Sequence, residues 1–294
     1  MESVSYAFCE AVCAVLRNLG ALTKLPPDNS NCGIWKAAAV ATAAGRVTVE
    51  VDVNSKDGVW SYKIATQNWR NRHSSITFQE LKAISRRCIQ TSVVDIGNSD
   101  VNSHTSTVDE VTEILEYSAQ FVNLAQMWIS EDIVIPVKNL VRLISPFRNS
   151  SFSEICVGIY SKAAERFLRT QLQSESLKKI DINGHRWSDG LRVAIQRFAL
   201  TKPFLRVCVA NDPLAFSLTF IEKLLKKACK VGKFSFAARS DVHFEELRMF
   251  DKEMQIHSDD KAIVWRRRDG VEVKISSRFM NVVFASNSVV ITER

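Results

Sequence analysis

Cys9 and Cys13 stand one helical turn apart, a spacing at which two thiolates can share a metal ion, and Cys32 is the nearest third sulfur. A fourth ligand at comparable spacing is missing, and free cysteines usually sit in cores, so these thiols read as part of a buried helix stripe and no metal is expected. His185, Ser188 and Asp189 contain the residue types of a hydrolytic triad, yet on one short loop such side chains diverge instead of forming a relay. A Ser188 or Asp189 that caps a following helix explains them at lower cost. The phosphate-cradling, dinucleotide-binding and zinc-protease motifs are absent from the sequence. The reading is a non-enzymatic chain without a cofactor.

Three basic clusters could meet an acidic partner: Lys223, Lys226, Lys227, Lys230 and Lys233; Arg86 with Arg87; and Arg266 to Arg268. The first covers the polar face of a helical pattern, which usually means a solvated face. The last sits at a hairpin edge, where charge discourages edge pairing. A net charge of +7 permits acidic partners but falls far short of a dedicated nucleic-acid binder, and only Trp265 could serve as a stacking platform near these charges, so nucleic acid is disfavoured. Seven cysteines without a CxxC pair, in a chain of 294 residues, point to a reducing compartment, cytoplasmic or nuclear. No stretch is apolar enough to predict a membrane span or a signal segment.

The elements that would position any site begin with helices. Phe8, Val12, Val15, Leu16 and Leu19 recur at three- and four-residue steps, with Gly20 as a stop. A turn-rich stretch from Pro26 to Asn31 forbids helix and leads into a second helical piece, Ile34 to Val40. From Arg46 the period becomes two. Val47, Val49, Val51 and Val53 alternate with polar residues, Trp60, Tyr62 and Ile64 do so after Asn54 to Gly58, and Asp57-Gly58 predicts a hairpin turn.

The middle of the chain repeats itself. Leu124-x-x-Met127-x-Ile129 recurs as Phe152-x-x-Ile155-x-Val157, Leu177-x-x-Ile180-x-Ile182, Phe204-x-x-Val207-x-Val209 and Val231-x-x-Phe234-x-Phe236. An earlier copy keeps Val94-x-Ile96 behind Thr91. The central residues fall at 94, 127, 155, 180, 207 and 234, and an amphipathic stretch precedes each, such as Val137, Leu140, Val141 and Ile144. One helix and one strand per unit is the leucine-rich-repeat pattern, with parallel strands along one side and helices along the other. At the position where such repeats usually carry Asn or Cys, this chain has Ser99, Asp132, Tyr160, His185, Asp212 and Arg239.

Past Phe250 the repeat decays into Ala262 to Trp265 and Val271 to Ile275 around Asp269-Gly270, a hairpin signal, and Met280 to Ala285 reads as a last strand. The expected fold is therefore α/β: a helical segment at 1–45, a β-hairpin at 46–75, a leucine-rich-repeat-like helix-strand stack at 76–250 and a C-terminal β cap at 251–294.

The opening Val4 to Leu16, followed by Ile34-Trp35-Lys36 and strands, resembles the degenerate F-box start of a nematode-expanded group of F-box-like proteins. The phrase Ser176-Leu177-Lys178-Lys179-Ile180 and the closing Trp265 to Gly270 resemble that group's repeat-like associated region. The resemblance implies a substrate-recognition subunit of a Skp-cullin type ubiquitin ligase. It would dock a Skp-type adaptor and cullin scaffold through Val4, Phe8, Val12, Leu16 and Trp35 and hold an unknown target protein on the strand side of the stack. Two alternatives stay open: these five residues could instead pack on the hairpin as core, and the chain could be an interaction module that has lost adaptor binding.

Overall fold

The computed structural model describes residues 5–15, 22, 24, 30–68, 73–97, 103–130, 135–184, 186–210, 216–228, 234–238, 255–259, 262–266, 271–276 and 279–284. They form a mixed α/β fold in two units, residues 1–126 and 127–294.

The first unit opens with α1 (Tyr6–Val15) and α2 (Ser30–Gly45), which pack on one another. The second helix begins at Ser30, so the turn-rich stretch ends before Asn31, earlier than its composition suggests, and the alanine-rich run carries the helix past Val40 to Gly45. Next, β1 (Val47–Lys56) and β2 (Val59–Asn68) form the expected hairpin, with Val51 opposite Ile64 and Val53 opposite Tyr62. Asp57 and Gly58 both take positive φ, 52° and 79°, the left-handed pair that a two-residue hairpin turn requires. Period-two alternation buries Val49, Val51, Val53 and Ile64 completely, each worth about 1.5–3 kcal/mol of transfer free energy.

Two short strands of β2 escape a periodicity reading. They are β3 (His73–Ile76) and β5 (His104–Ser106), both antiparallel to β2, and three or four residues are too few to show a period. Between them lie α3 (Phe78–Ala83), opened by a Thr77–Glu80 capping box, and β4 (Ile89–Ile96), which runs parallel to β1 with Val94 beside Val51. Then α4 (Val108–Ala119), capped by Thr107, buries Val111, Ile114 and Leu115. A further strand, β6 (Val122–Ile129), spans the boundary between the units.

The second unit alternates helix and strand: α5 (Val137–Ile144), β7 (Ser151–Val157), α6 (Lys162–Gln171), β8 (Lys179–Ile182), α7 (Asp189–Thr201), β9 (Arg206–Val209), α8 (Leu218–Ala228) and β10 (Phe234–Ala238). Successive strands from β7 to β10 pair in parallel, as helical crossovers require. Successive helices pack in the same order, α5 on α6, α6 on α7, α7 on α8. Ile155, Ile180 and Val207 share one buried row, and Val157, Ile182 and Val209 the next. The last copy is shifted by two residues. Phe236, not Phe234, stands beside Val207, because Phe236 is the ring that packs on Phe216 and Phe220 at 5.3 Å.

The α5 stripe also differs from its sequence reading. Leu140 and Ile144 are buried as the stripe predicts, but Val137 and Val141 are exposed, and Leu143, with Phe147 from the following 3-10 turn Ser145–Phe147, completes the buried face. Gly184, at φ 96°, lets the loop after β8 approach the loop after β7, where a Cβ would lie 2.9 Å from the Gly158 carbonyl oxygen. The closing strands are β11 (Gln255–Asp259), β12 (Ala262–Arg266), β13 (Val271–Ser276) and β14 (Phe279–Phe284), an antiparallel meander joined to β10 through β14. Among the described residues no helix is long and apolar enough to cross a membrane.

Candidate functional site

Strand alternation decides which side chains of the second unit meet solvent. With Ile155, Ile180 and Val207 turned toward the helices, the intervening Glu154, Cys156, Lys179, Asp181, Arg206 and Cys208 face the opposite side and are half-buried or exposed. Register sets them in two rows, Glu154–Lys179–Arg206–Ser235 and Cys156–Asp181–Cys208–Ala237. The Gly158 amide donates to the Ile129 carbonyl at 2.7 Å just as the Asn183 amide donates to Val157 at 2.8 Å. That hydrogen bond sets Ile129 beside Val157 and so brings Trp128 into the Cys156 row. The Trp128 side chain is 42% exposed.

The charges on this face are graded in depth. Lys179 Nζ lies 3.1 Å from Glu154 Oε2, and Arg206 Nη2 lies 3.4 Å from Asp181 Oδ2. The cations are the more accessible partners, 44% and 59% exposed against 25% for Glu154 and 31% for Asp181. Burial pushes the Asp181 carboxyl above its ordinary value, with the Arg206 guanidinium pulling only partly the other way. Burial, then the Asp181 charge, push the Cys208 thiol up as well. A thiol held protonated beside a carboxylate is a weak nucleophile, so what this face offers a partner is charge and an indole.

A second candidate lies on α1 and α2. Cys9, Cys13, Ala38 and Ala39 are fully buried together, and Trp35, Leu22, Ile34 and Ala43 pack against them. The two sulfurs are thus core, and burial pushes the Cys13 thiol up. Phe8 is turned away from that cluster, 55% exposed, with its ring edge-on to Trp35 at 6.2 Å between centroids. Val12 and Trp35 are half-buried, while Val4 and Leu16 lie outside the described residues. The small cysteine and alanine side chains let the helices approach closely, which leaves the larger Phe8 on the rim.

Ser188 accepts the Leu191 amide as the N-cap of α7 and donates to the Glu165 carboxylate, and Asp189 pairs with Arg192 at 3.0 Å. His185 lies outside the described residues, as do Ser99, Asp132, Asp212 and Arg239, which stand where leucine-rich repeats usually carry Asn or Cys; Tyr160 packs edge-on against Trp187 at 5.2 Å. Of the lysine cluster, Lys223 is exposed but Lys227 is half-buried, and Lys230 and Lys233 lie outside the described residues. Among the described residues no group of three or more His, Cys, Asp or Glu is placed to hold a metal ion. Trp128, Glu154, Lys179 and Arg206 carry a signal in the sequence, since each occupies a variable slot of the apolar motif and so had to face away from the core. No protein-family model, curated protein or solved structure matches this chain.

Proposed function

We propose that this chain is a substrate-recognition subunit of a Skp-cullin type ubiquitin ligase, with α1 and α2 as an F-box-like adaptor-docking pair. The consecutive helix-strand units would act as a leucine-rich-repeat-like stack that holds the target on its open strand face. The observation that carries the reading is Phe8, a large aromatic more than half exposed on a helix pair whose own core is already filled by Cys9, Cys13, Ala38 and Ala39. Interface cores favour aromatic anchors of this kind, and Trp35 beside it supplies a second ring.

The experiment is affinity purification of the intact chain with mass spectrometry. A Skp-type adaptor and a cullin should co-purify, and Phe8→Ser should abolish that while leaving the melting temperature nearly unchanged, because an exposed ring contributes little to the fold. If neither protein is ever recovered, the alternative stands: a protein-interaction module that uses the open strand face and binds no adaptor. If Phe8→Ser melts early, the ring belongs to the core and the docking role falls.

A further inference from the structure

The open strand face is uneven in a way that selects a partner. Its carboxylates lie deeper than its cations, so an approaching chain meets Lys179, Arg206 and the Trp128 indole first. Strands are roughly 4.8 Å apart and rise about 3.3 Å per residue, which places Lys179 roughly 12 Å and Arg206 roughly 16 Å from Trp128, diagonally across β7 to β9. Neighbouring Cys208 adds no charge between these points, since burial and the Asp181 charge push its thiol up and keep it protonated.

We propose that this face binds an extended acidic segment of the target, one apolar side chain lying on Trp128 and a carboxylate about four residues along, on the same side of the segment, reaching Lys179 and Arg206, which stand side by side on neighbouring strands. This names the partner chemistry for the strand side and rests on the recognition role proposed above. Each cation already holds one carboxylate, yet Lys179 and Arg206 keep 44% and 59% of their side chains exposed, so an incoming carboxylate can add a second acceptor. The chain's net charge of +7 favours the approach of such a segment over a basic one.

The test is panning of a phage-displayed random peptide library on the intact purified chain. Enriched peptides should carry an apolar residue with Asp or Glu about four positions away, and salt should weaken their binding. Arg206→Glu and Trp128→Ala should each weaken a selected peptide by about tenfold or more, and Arg206→Gln, which removes the charge without setting a carboxylate against Asp181, should also weaken it while keeping the melting temperature close to the parent's. Panning on the Arg206→Glu chain should enrich less acidic peptides. No enrichment, enrichment of basic peptides, or acidic peptides that Arg206→Glu leaves unaffected would overturn the proposal. Recovery of a Skp-type adaptor without acidic selection would remove only this inference; acidic selection without any adaptor would remove only the ligase reading.

Discussion

Lys227 on α8 holds the end of α7: its ammonium donates to the Ala199 carbonyl at 2.6 Å, and to Lys202 at the same distance. The last carbonyls of a helix have no partner within it, and a cation there also complements the negative end of the helix dipole. The ammonium sits 5.0 Å from the centre of the Phe204 ring, and burial pushes it below its ordinary value. Lys227 is thereby taken out of the solvated lysine run and made part of the helix-helix seam.

Replacing Lys227 with Met keeps the stem and removes the donor. Two helix-end carbonyls lose their partner, and the expected cost is about 1–3 kcal/mol in urea unfolding. Lys223→Met on the exposed side of the same helix should stay within about 0.5 kcal/mol. Equal midpoints for the two variants would show that water replaces Lys227 at those carbonyls without loss.

Ser188 joins α6 to α7, since one hydroxyl both caps the second helix and donates to Glu165 on the first. Ser188→Ala should cost about 1–2 kcal/mol, and Ser188→Thr should restore most of it because it retains both hydrogen bonds. Ser188→Asp keeps the cap acceptor but sets a carboxylate against Glu165, so it should remain destabilised at neutral pH and recover on acidification. Thermal melts of the three variants distinguish capping from the link between helices.

Much of the second unit is legible in the sequence because its pattern is redundant. Ile155, Ile180 and Val207 recur at similar steps, and a crossover helix between them leaves parallel pairing as the ready outcome. Where a single copy had to be read alone, errors of one turn or two residues appear: the Val137 and Val141 face of α5, and Phe234 in place of Phe236. Periodicity names a face only to within a helical turn, and two phenylalanines two positions apart fit the same slot. The open strand face could be inferred from the variable slots, but its gradation could not, because how far Lys179 and Arg206 stand above Glu154 and Asp181 depends on their neighbours across strands. Phe8 shows the opposite failure. It shares a helical stripe with Val12, yet the inward face belongs to Cys9 and Cys13, whose small size makes their packing hard to foresee from hydrophobicity alone.

Ile180 is the central residue of the parallel strands, flanked by Ile155 and Val207 and almost fully buried. Ile180→Ala should cost about 2–5 kcal/mol through lost transfer energy and the cavity left between two neighbours. Ile180→Asp adds a charge with no partner in that row and should cost more, to the point of poor expression. An Ile180→Asp chain that melts like the parent would mean that β8 is not a core strand.

Asp181 makes a prediction in pH. Its carboxyl is raised above the ordinary 3.8 first by burial, with the Arg206 charge opposing that only in part. The folded state therefore binds this proton more tightly than the unfolded chain does. The stabilisation that comes from the raised value is fully present below the ordinary carboxyl range and is lost as pH rises through the folded value. Asn in its place stays neutral throughout and escapes that loss, at the expense of a surface ion pair worth about 0–1 kcal/mol. Melting temperatures of the parent and Asp181→Asn chains, followed from about pH 3 to about pH 7, should thus shift in the variant's favour as pH rises. A shift in the parent's favour over the same range would mean that Arg206 outweighs burial at this site, and that Asp181 holds the guanidinium in place instead of merely tolerating it.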